Sequence, residues 1–178
     1  SALARRLDRS DDPLAELPTS TDERYLARQV VLVGYGRVGR RVASVLAAHN
    51  IPLVVAEQNR ELVEKLRAQG MAAVFGDAVE PAVLIQAHIA RAHMLVIATP
   101  DTLNVQQIIA TARLLNPGIE TVVRSHGEEE AVRLEKECGS TVFMGEEALA
   151  QAMAGHVLAR AAARGGNATP PGVLHESA

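Results

Sequence analysis

Apolar positions in this chain come in short unbroken runs rather than in alternation. Residues 30–33, 53–56, 72–75, 94–98, 121–123 and 141–143 are six such runs. Each has the length of a strand and most are apolar without alternation, as expected of parallel strands covered on both faces. Between them the period lengthens. Val38, Val42, Val45 and Leu46 form one helical stripe, Val105, Ile108, Ile109, Ala112 and Leu115 a second, and Ala131, Leu134 and Cys138 a third. Local signals mark helix ends: Pro81 suits a first helical turn, Ser125-His126-Gly127-Glu128 reads as a capping box, and Gly139 suits a left-handed stop. Strand and helix alternate, which predicts an α/β fold with a doubly wound, six-stranded parallel sheet and right-handed crossovers.

The two ends break the pattern. Residues 1–28 carry Pro13, Pro18 and the polar cluster Thr19-Ser20-Thr21-Asp22, and are expected to be a linker with little core. The last periodic stretch, about 146–163, has the stripe Leu149, Ala152, Met153, His156 and Val157 among small alanines, with no strand after it. It predicts an extra C-terminal helix that either packs on the sheet or meets a second copy of the chain. Gly165-Gly166-Asn167 and Pro170-Pro171-Gly172 then read as a flexible tail. The expected organisation is a linker at 1–28, a domain at 29–163 and a tail at 164–178. The chain opens on Ser1-Ala2-Leu3, which reads as the edge of a longer protein. Arg5, Arg6 and Arg9 are either a solvated linker or a basic cluster lying beside anionic headgroups.

The first strand carries the sharpest chemistry. Val30-Val31-Leu32-Val33 runs into Gly34-Tyr35-Gly36-Arg37-Val38-Gly39, a G-x-G-x-x-G between a strand and a helix, and Glu57 closes the next apolar run. An acid roughly 20 residues beyond such a turn is the context that a nucleotide site needs. Gly34 permits the tight turn, Gly36 lets backbone N–H groups approach a phosphate, and Gly39 lets the helix lie on the sheet. The helix N-terminus directs free donors and partial positive charge at that phosphate. Glu57 can accept from ribose hydroxyls and repels a 2′-phosphate, favouring NAD over NADP.

In a doubly wound sheet the ligand lies beyond the carboxyl ends of the strands. Gly34 follows the first run, Glu57 and Gln58 the second, Asp77 and Ala78 the third, Thr99-Pro100-Asp101 the fourth and Arg124 the fifth. Asp77 either accepts from an adenine amino group or caps the helix near Pro81, and Ala78 leaves room for the base. Thr99 either bonds ribose or phosphate or, like Asp101, caps the next helix. Arg37 and Arg124 can meet phosphate oxygens, although Arg124 can equally pair with a glutamate.

Composition narrows the classes. With 178 residues, a net charge of -3, a pI near 6.1 and 2% aromatic content, the chain lacks the basic face and stacking platforms of a nucleic-acid partner. One cysteine fits a reducing compartment. No apolar run approaches a membrane span and no signal peptide is read, so this segment is expected to be soluble and cytoplasmic. The histidines show neither H-E-x-x-H spacing nor cysteine partners, which argues against a metal site. No nucleophile elbow or second catalytic domain is visible, which argues against an enzyme; a small NAD-dependent oxidoreductase and a ligand-free Rossmann interaction module stay open as alternatives.

From Gln29 to about Ala163 the chain resembles the RCK, or TrkA-N (KTN), domain, most of all that of Kef-like cation:proton antiporters of the YbaL type. The motifs that carry the resemblance are Val31-Leu32-Val33-Gly34-Tyr35-Gly36-Arg37-Val38-Gly39, Val55-Ala56-Glu57-Gln58-Asn59, Val74-Phe75-Gly76-Asp77-Ala78, Ala98-Thr99-Pro100 and Val122-Val123-Arg124-Ser125-His126. The resemblance implies a Rossmann-like fold that binds NAD(H) or AMP, ADP or ATP in its cleft. It also implies a homodimer through RCK domains, attached on the cytoplasmic face to a transmembrane antiporter domain of the same parent chain. The segment ahead of Gln29 would then lead from the last transmembrane helix.

Overall fold

The computed structural model of the protein describes residues 12–100 and 104–165. Six strands, β1 (Val30–Val33), β2 (Leu53–Glu57), β3 (Ala72–Phe75), β4 (Met94–Ile97), β5 (Glu120–Ser125) and β6 (Thr141–Met144), form one sheet. All pairings are parallel, in the order β3-β2-β1-β4-β5-β6. The chain winds outward from β1 through β2 and β3, then crosses back to set β4 on the other side of β1. Val31 therefore stands between Val54 and Leu95, and Val33 between Ala56 and Ile97. That reversal opens a crevice above the carboxyl end of β1.

The helices are α1 (Arg37–Ala48), α2 (Arg60–Ala68), α3 (Pro81–Gln86), α4 (Val105–Leu115), α5 (Glu128–Cys138) and α6 (Gly145–Gly165). Alternate strand residues feed two cores. Leu32, Val55 and Val96 meet Ala43 of α1 and Val63 and Leu66 of α2. Val31, Val54 and Leu95 meet Leu84 of α3, Ile109 of α4 and Leu134 of α5 on the opposite face. The expected α1 stripe needs one correction. Gly39 and Ala43 are its buried residues and Val45 is 59% exposed; small residues bring the helix close to the sheet, and the valines flank that contact. The capping box also shifts. Because α5 begins at Glu128, its third residue is Glu130, which accepts from the Ser125 hydroxyl at 2.6 Å. Pro81 and Gly139 sit where expected, at the first turn of α3 and in a left-handed stop after α5.

The segment read as a linker is docked from Asp12 onward. Phe75, at the end of β3, donates its N–H to the Leu14 carbonyl at 2.7 Å. Arg67 of α2 donates to the carbonyls of Ala73 (2.8 Å), Pro13 (2.7 Å), Leu14 (3.0 Å) and Glu16. Arg60 grips the Asp12 carboxylate with both terminal nitrogens, and Leu14 and Leu17 pack against the cores. Helix α6 belongs to a second compact unit that starts at Gly145; along it Leu149, Met153 and Val157 are each at least 61% exposed. Arg5, Arg6, Arg9, Asp101 and most of the expected tail lie outside the described residues.

Candidate functional site

The loop after β1 is built by what two glycines avoid. Gly34 leaves the strand at φ +89°, and a Cβ there would stand 3.0 Å from the backbone nitrogen of Thr99, so the loops after β1 and β4 meet at the switch point. A Cβ on Gly39 would lie 2.1 Å from the Gly34 carbonyl oxygen, which fixes how tightly α1 closes on the loop. Gly36 is different: nothing lies within 4 Å of where its Cβ would be. It is the N-cap of α1, where it offers no side chain to cap the helix, and with Gly34 and Tyr35 it lines a cavity, so the positive end of the helix adjoins open space.

Glu57 faces this loop from the end of β2. Its Oε2 accepts the Tyr35 N–H at 2.7 Å and its Oε1 accepts the Asn59 N–H at 2.9 Å. One carboxylate thus braces both the glycine loop and the start of α2. A carboxylate has about four acceptor positions, so each oxygen keeps capacity for a hydroxyl donor. Asn59 in turn caps α2, accepting from Leu62 N–H at 3.1 Å. The Tyr35 hydroxyl points at the sulfur of Met71, 3.7 Å away, and its side chain packs on the α1–α2 core. Asp77 takes the Val79 N–H on Oδ1 at 3.0 Å. The N-cap of α3 is Glu80, so Asp77 shapes a turn and does not cap that helix.

These loops enclose a cavity of about 330 Å³, within the range of small-ligand pockets. Gly34, Tyr35, Gly36, Glu57, Gln58, Asp77, Ala78, Thr99 and Pro100 all line it. Arg37, Val38 and Gly39 form the first turn of α1 behind the loop, and Arg124 is half-buried on β5, outside the cavity walls. The walls also include Val33, Ala56, Asn59, Leu62, Gly76, Val79, Asn104 and Ile108, which were not among the expected site residues. Asn59 carried a usable signal, since an Asn before a helical run is an N-cap. Leu62 and Ile108 carried none, because helical periodicity cannot separate a core residue from a cavity wall. Among the described residues no group of three or more His, Cys, Asp or Glu could hold a metal ion.

Backbone donors on one side, a braced carboxylate on the other and a small apolar floor suit a phosphorylated ribose. The model of the TrkA-N domain matches residues 30–145. This chain belongs to the TrkA-N family. The motif resemblance therefore points to the right family. The TrkA-N domain here is 37% identical over 128 residues to YbaL of Escherichia coli (strain K12), a protein bearing a cation/proton antiporter name; the match covers 72% of this chain and 23% of YbaL. The crystal structure of the TrkA-N domain of inner membrane protein YbaL from Escherichia coli superposes with a TM-score of 0.67 at 38% identity, over 71% of this chain and 94% of that one. The fold is shared more widely. A GsuK channel bound to NAD matches at 22% identity and TM-score 0.60, over 79% of this chain and 25% of that chain. The Shewanella denitrificans Kef C-terminal domain in AMP-bound form matches at 21% and 0.61, over 73% of this chain and 80% of that chain. The chain spans about a quarter or less of the length of the curated relatives it matches. Among the described residues no helix is long and apolar enough to cross a membrane.

Proposed function

We propose that the cleft binds the adenosine-phosphate portion common to NAD(H) and to AMP, ADP and ATP, and that the domain regulates a potassium/proton antiporter-type membrane transporter. The observation that carries this reading is the cavity that the Gly34-Tyr35-Gly36 turn at the start of α1 shares with the carboxylate of Glu57. In this reading the Gly34–Gly39 turn, with Tyr35, Arg37 and Val38, receives phosphate through its backbone. Glu57 and Gln58 hold the ribose, Asp77 and Ala78 border the base, and Thr99 and Pro100 close the far side. Arg124 meets a more distant phosphate from β5. The names of the YbaL and Kef relatives support attachment to an antiporter; the proposal sets the domain on the cytoplasmic face of the membrane.

Regulation requires a homodimer of TrkA-N (RCK) domains with two arrangements, and a nucleotide that prefers one of them. Equal affinity for both would move nothing. The deciding experiment is to purify the protein, denature it and identify any released nucleotide by mass spectrometry. Melting is then followed with millimolar NAD, NADH, AMP, ADP or ATP. A ligand bound only by the folded state must raise the melting temperature. No co-purified nucleotide and no shift with any of the five would refute the reading.

A further inference from the structure

Behind the base end of the cleft lies a second cavity of about 490 Å³. One wall comes from the domain body, including Gln58, Gly76 and Asp77, which also line the first cavity. The opposite wall is the docked N-terminal segment, through Asp12, Ala15 and Glu16. The two cavities are thus neighbours across shared residues, and the second exists only while the segment is docked.

What docks the segment also belongs to the first cavity's framework. Helix α2 holds it through Arg60 and Arg67, and the start of α2 supplies Asn59 and Leu62 to the nucleotide cleft. Strand β3 holds it through the Phe75 N–H, immediately before Gly76 and Asp77. The charge on this wall fixes which end of a ligand it can meet. Asp12, Glu16 and Asp77 are acidic and disfavour phosphate, whereas carboxylate and carbonyl oxygens accept from exocyclic amino groups. Phosphate belongs at the opposite side, before the start of α1.

We propose that the strap formed by residues 12–17 is part of the nucleotide-binding structure: docked by Arg60 and Arg67, it closes the base end of the cleft, so that adenine-nucleotide binding and strap docking reinforce one another. Arg60 and Arg67 are positioning residues in this scheme, acting through the strap. The inference rests on the cleft being a nucleotide site, and it adds that the chain ahead of β1 feels occupancy through the wall that the two cavities share. Coupling of this kind is reciprocal, so release of the strap weakens binding by the factor by which binding tightens the strap.

The test uses the full chain with AMP as probe. Hydrogen exchange is measured at the Phe75 amide and across residues 13–17, with and without saturating AMP. AMP affinity is measured for the wild type and for Leu14→Asp, which sets a charge where Leu14 packs and expels the strap. Expected are slower strap exchange with AMP and a loss of AMP affinity of roughly 5-fold or more in the variant. If AMP slows exchange in the Gly34–Gly39 loop but leaves residues 13–17 and Phe75 unchanged, the strap inference is wrong and the nucleotide site stands. Wild-type affinity in a variant whose strap exchanges freely overturns it equally. If AMP slows exchange nowhere, the same comparison is made with NAD, NADH, ADP and ATP, and both readings fall if none of the five slows exchange in the loop or the strap. Should Leu14→Asp not fold, the wild-type exchange comparison decides alone.

Discussion

Gly36 and Gly39 occupy one motif and do different work. A methyl on Gly39 would collide with the Gly34 carbonyl oxygen, an atom held by the turn. Gly39→Ala is therefore expected to cost about 1–3 kcal/mol of stability, the usual penalty of forcing volume into a packed site. A methyl on Gly36 meets nothing, and its backbone, at φ -77° and ψ -156°, is open to any residue. Gly36→Ala should leave stability within about 0.5 kcal/mol, as substitutions away from packed sites do, yet weaken AMP or NAD binding by shielding the backbone donors. Denaturant melts beside calorimetric titration separate the two; equal stability losses in both variants would show that the turn serves packing alone. Glu57 supports a second residue-scale expectation. Glu57→Ala removes the acceptor of the Tyr35 and Asn59 amides together with the ribose partner, so nucleotide affinity should fall by about tenfold or more, one to two charged hydrogen bonds' worth. NADP should bind more weakly than NAD to the wild type, and Glu57→Gln should narrow that gap by removing the negative charge. A gap that persists unchanged would take the carboxylate out of the discrimination.

At the scale of elements, the sheet was legible because its signal recurs along the chain: six mostly apolar runs, three helix-end signals, and one glycine motif at a strand–helix junction. On α1 Val38, Val42 and Leu46 pack on the core as the period predicts; only Val45 departs from the stripe, at 59% exposed, and Ala43, buried at the closest approach, escaped notice because periodicity weighs valines above alanine. The docking of residues 12–17 was invisible for a different reason. Its partners are backbone carbonyls gripped by Arg67, and a carbonyl leaves no trace in residue identity, while Pro13 and Pro18 read as linker. One feature of that docking can be checked by pH. The hydrogen bond from Arg60 holds the Asp12 carboxyl below its ordinary value, with the Leu14 N–H and the charges of Arg60 and Arg67 acting in the same direction and partial burial opposing them. Glu64 also faces Arg60, at 3.5 Å. A carboxyl whose value falls on folding stabilises above its unfolded value near 3.8 and loses that contribution as pH drops below it. Asp12→Asn should therefore melt slightly below the wild type at pH 6, with the difference closing below about pH 3.8. The gap stays small because surface ion pairs are screened. A difference that is constant down to pH 3 would show that the ion pair does not hold the strap.

For the whole molecule, the unresolved demand of the proposed function is a partner, since one domain in one arrangement cannot switch anything. Helix α6 is the element that asks for one. Leu149, Met153 and Val157 recur every fourth residue, so they share one face, and all are exposed; around them Ala148, Ala150, Ala152, Ala154 and Gly155 keep the backbone close to whatever approaches. A stripe of this kind left in water loses the burial that isolated helices need to persist. If two copies of the chain cover it, a version ending at Met144 should be monomeric by light scattering at concentrations where the full chain is dimeric. It should still give the nucleotide-dependent melting shift, because among the described residues all that line the cleft precede Gly145. Leu149→Glu with Met153→Glu in the full chain should act in the same direction without removing the helix. A truncated chain as dimeric as the full one would move the contact to the domain body. A monomer that binds nucleotide normally would instead separate the two halves of the proposal: binding belongs to residues 12–144, and the conversion of binding into a choice between arrangements belongs to α6.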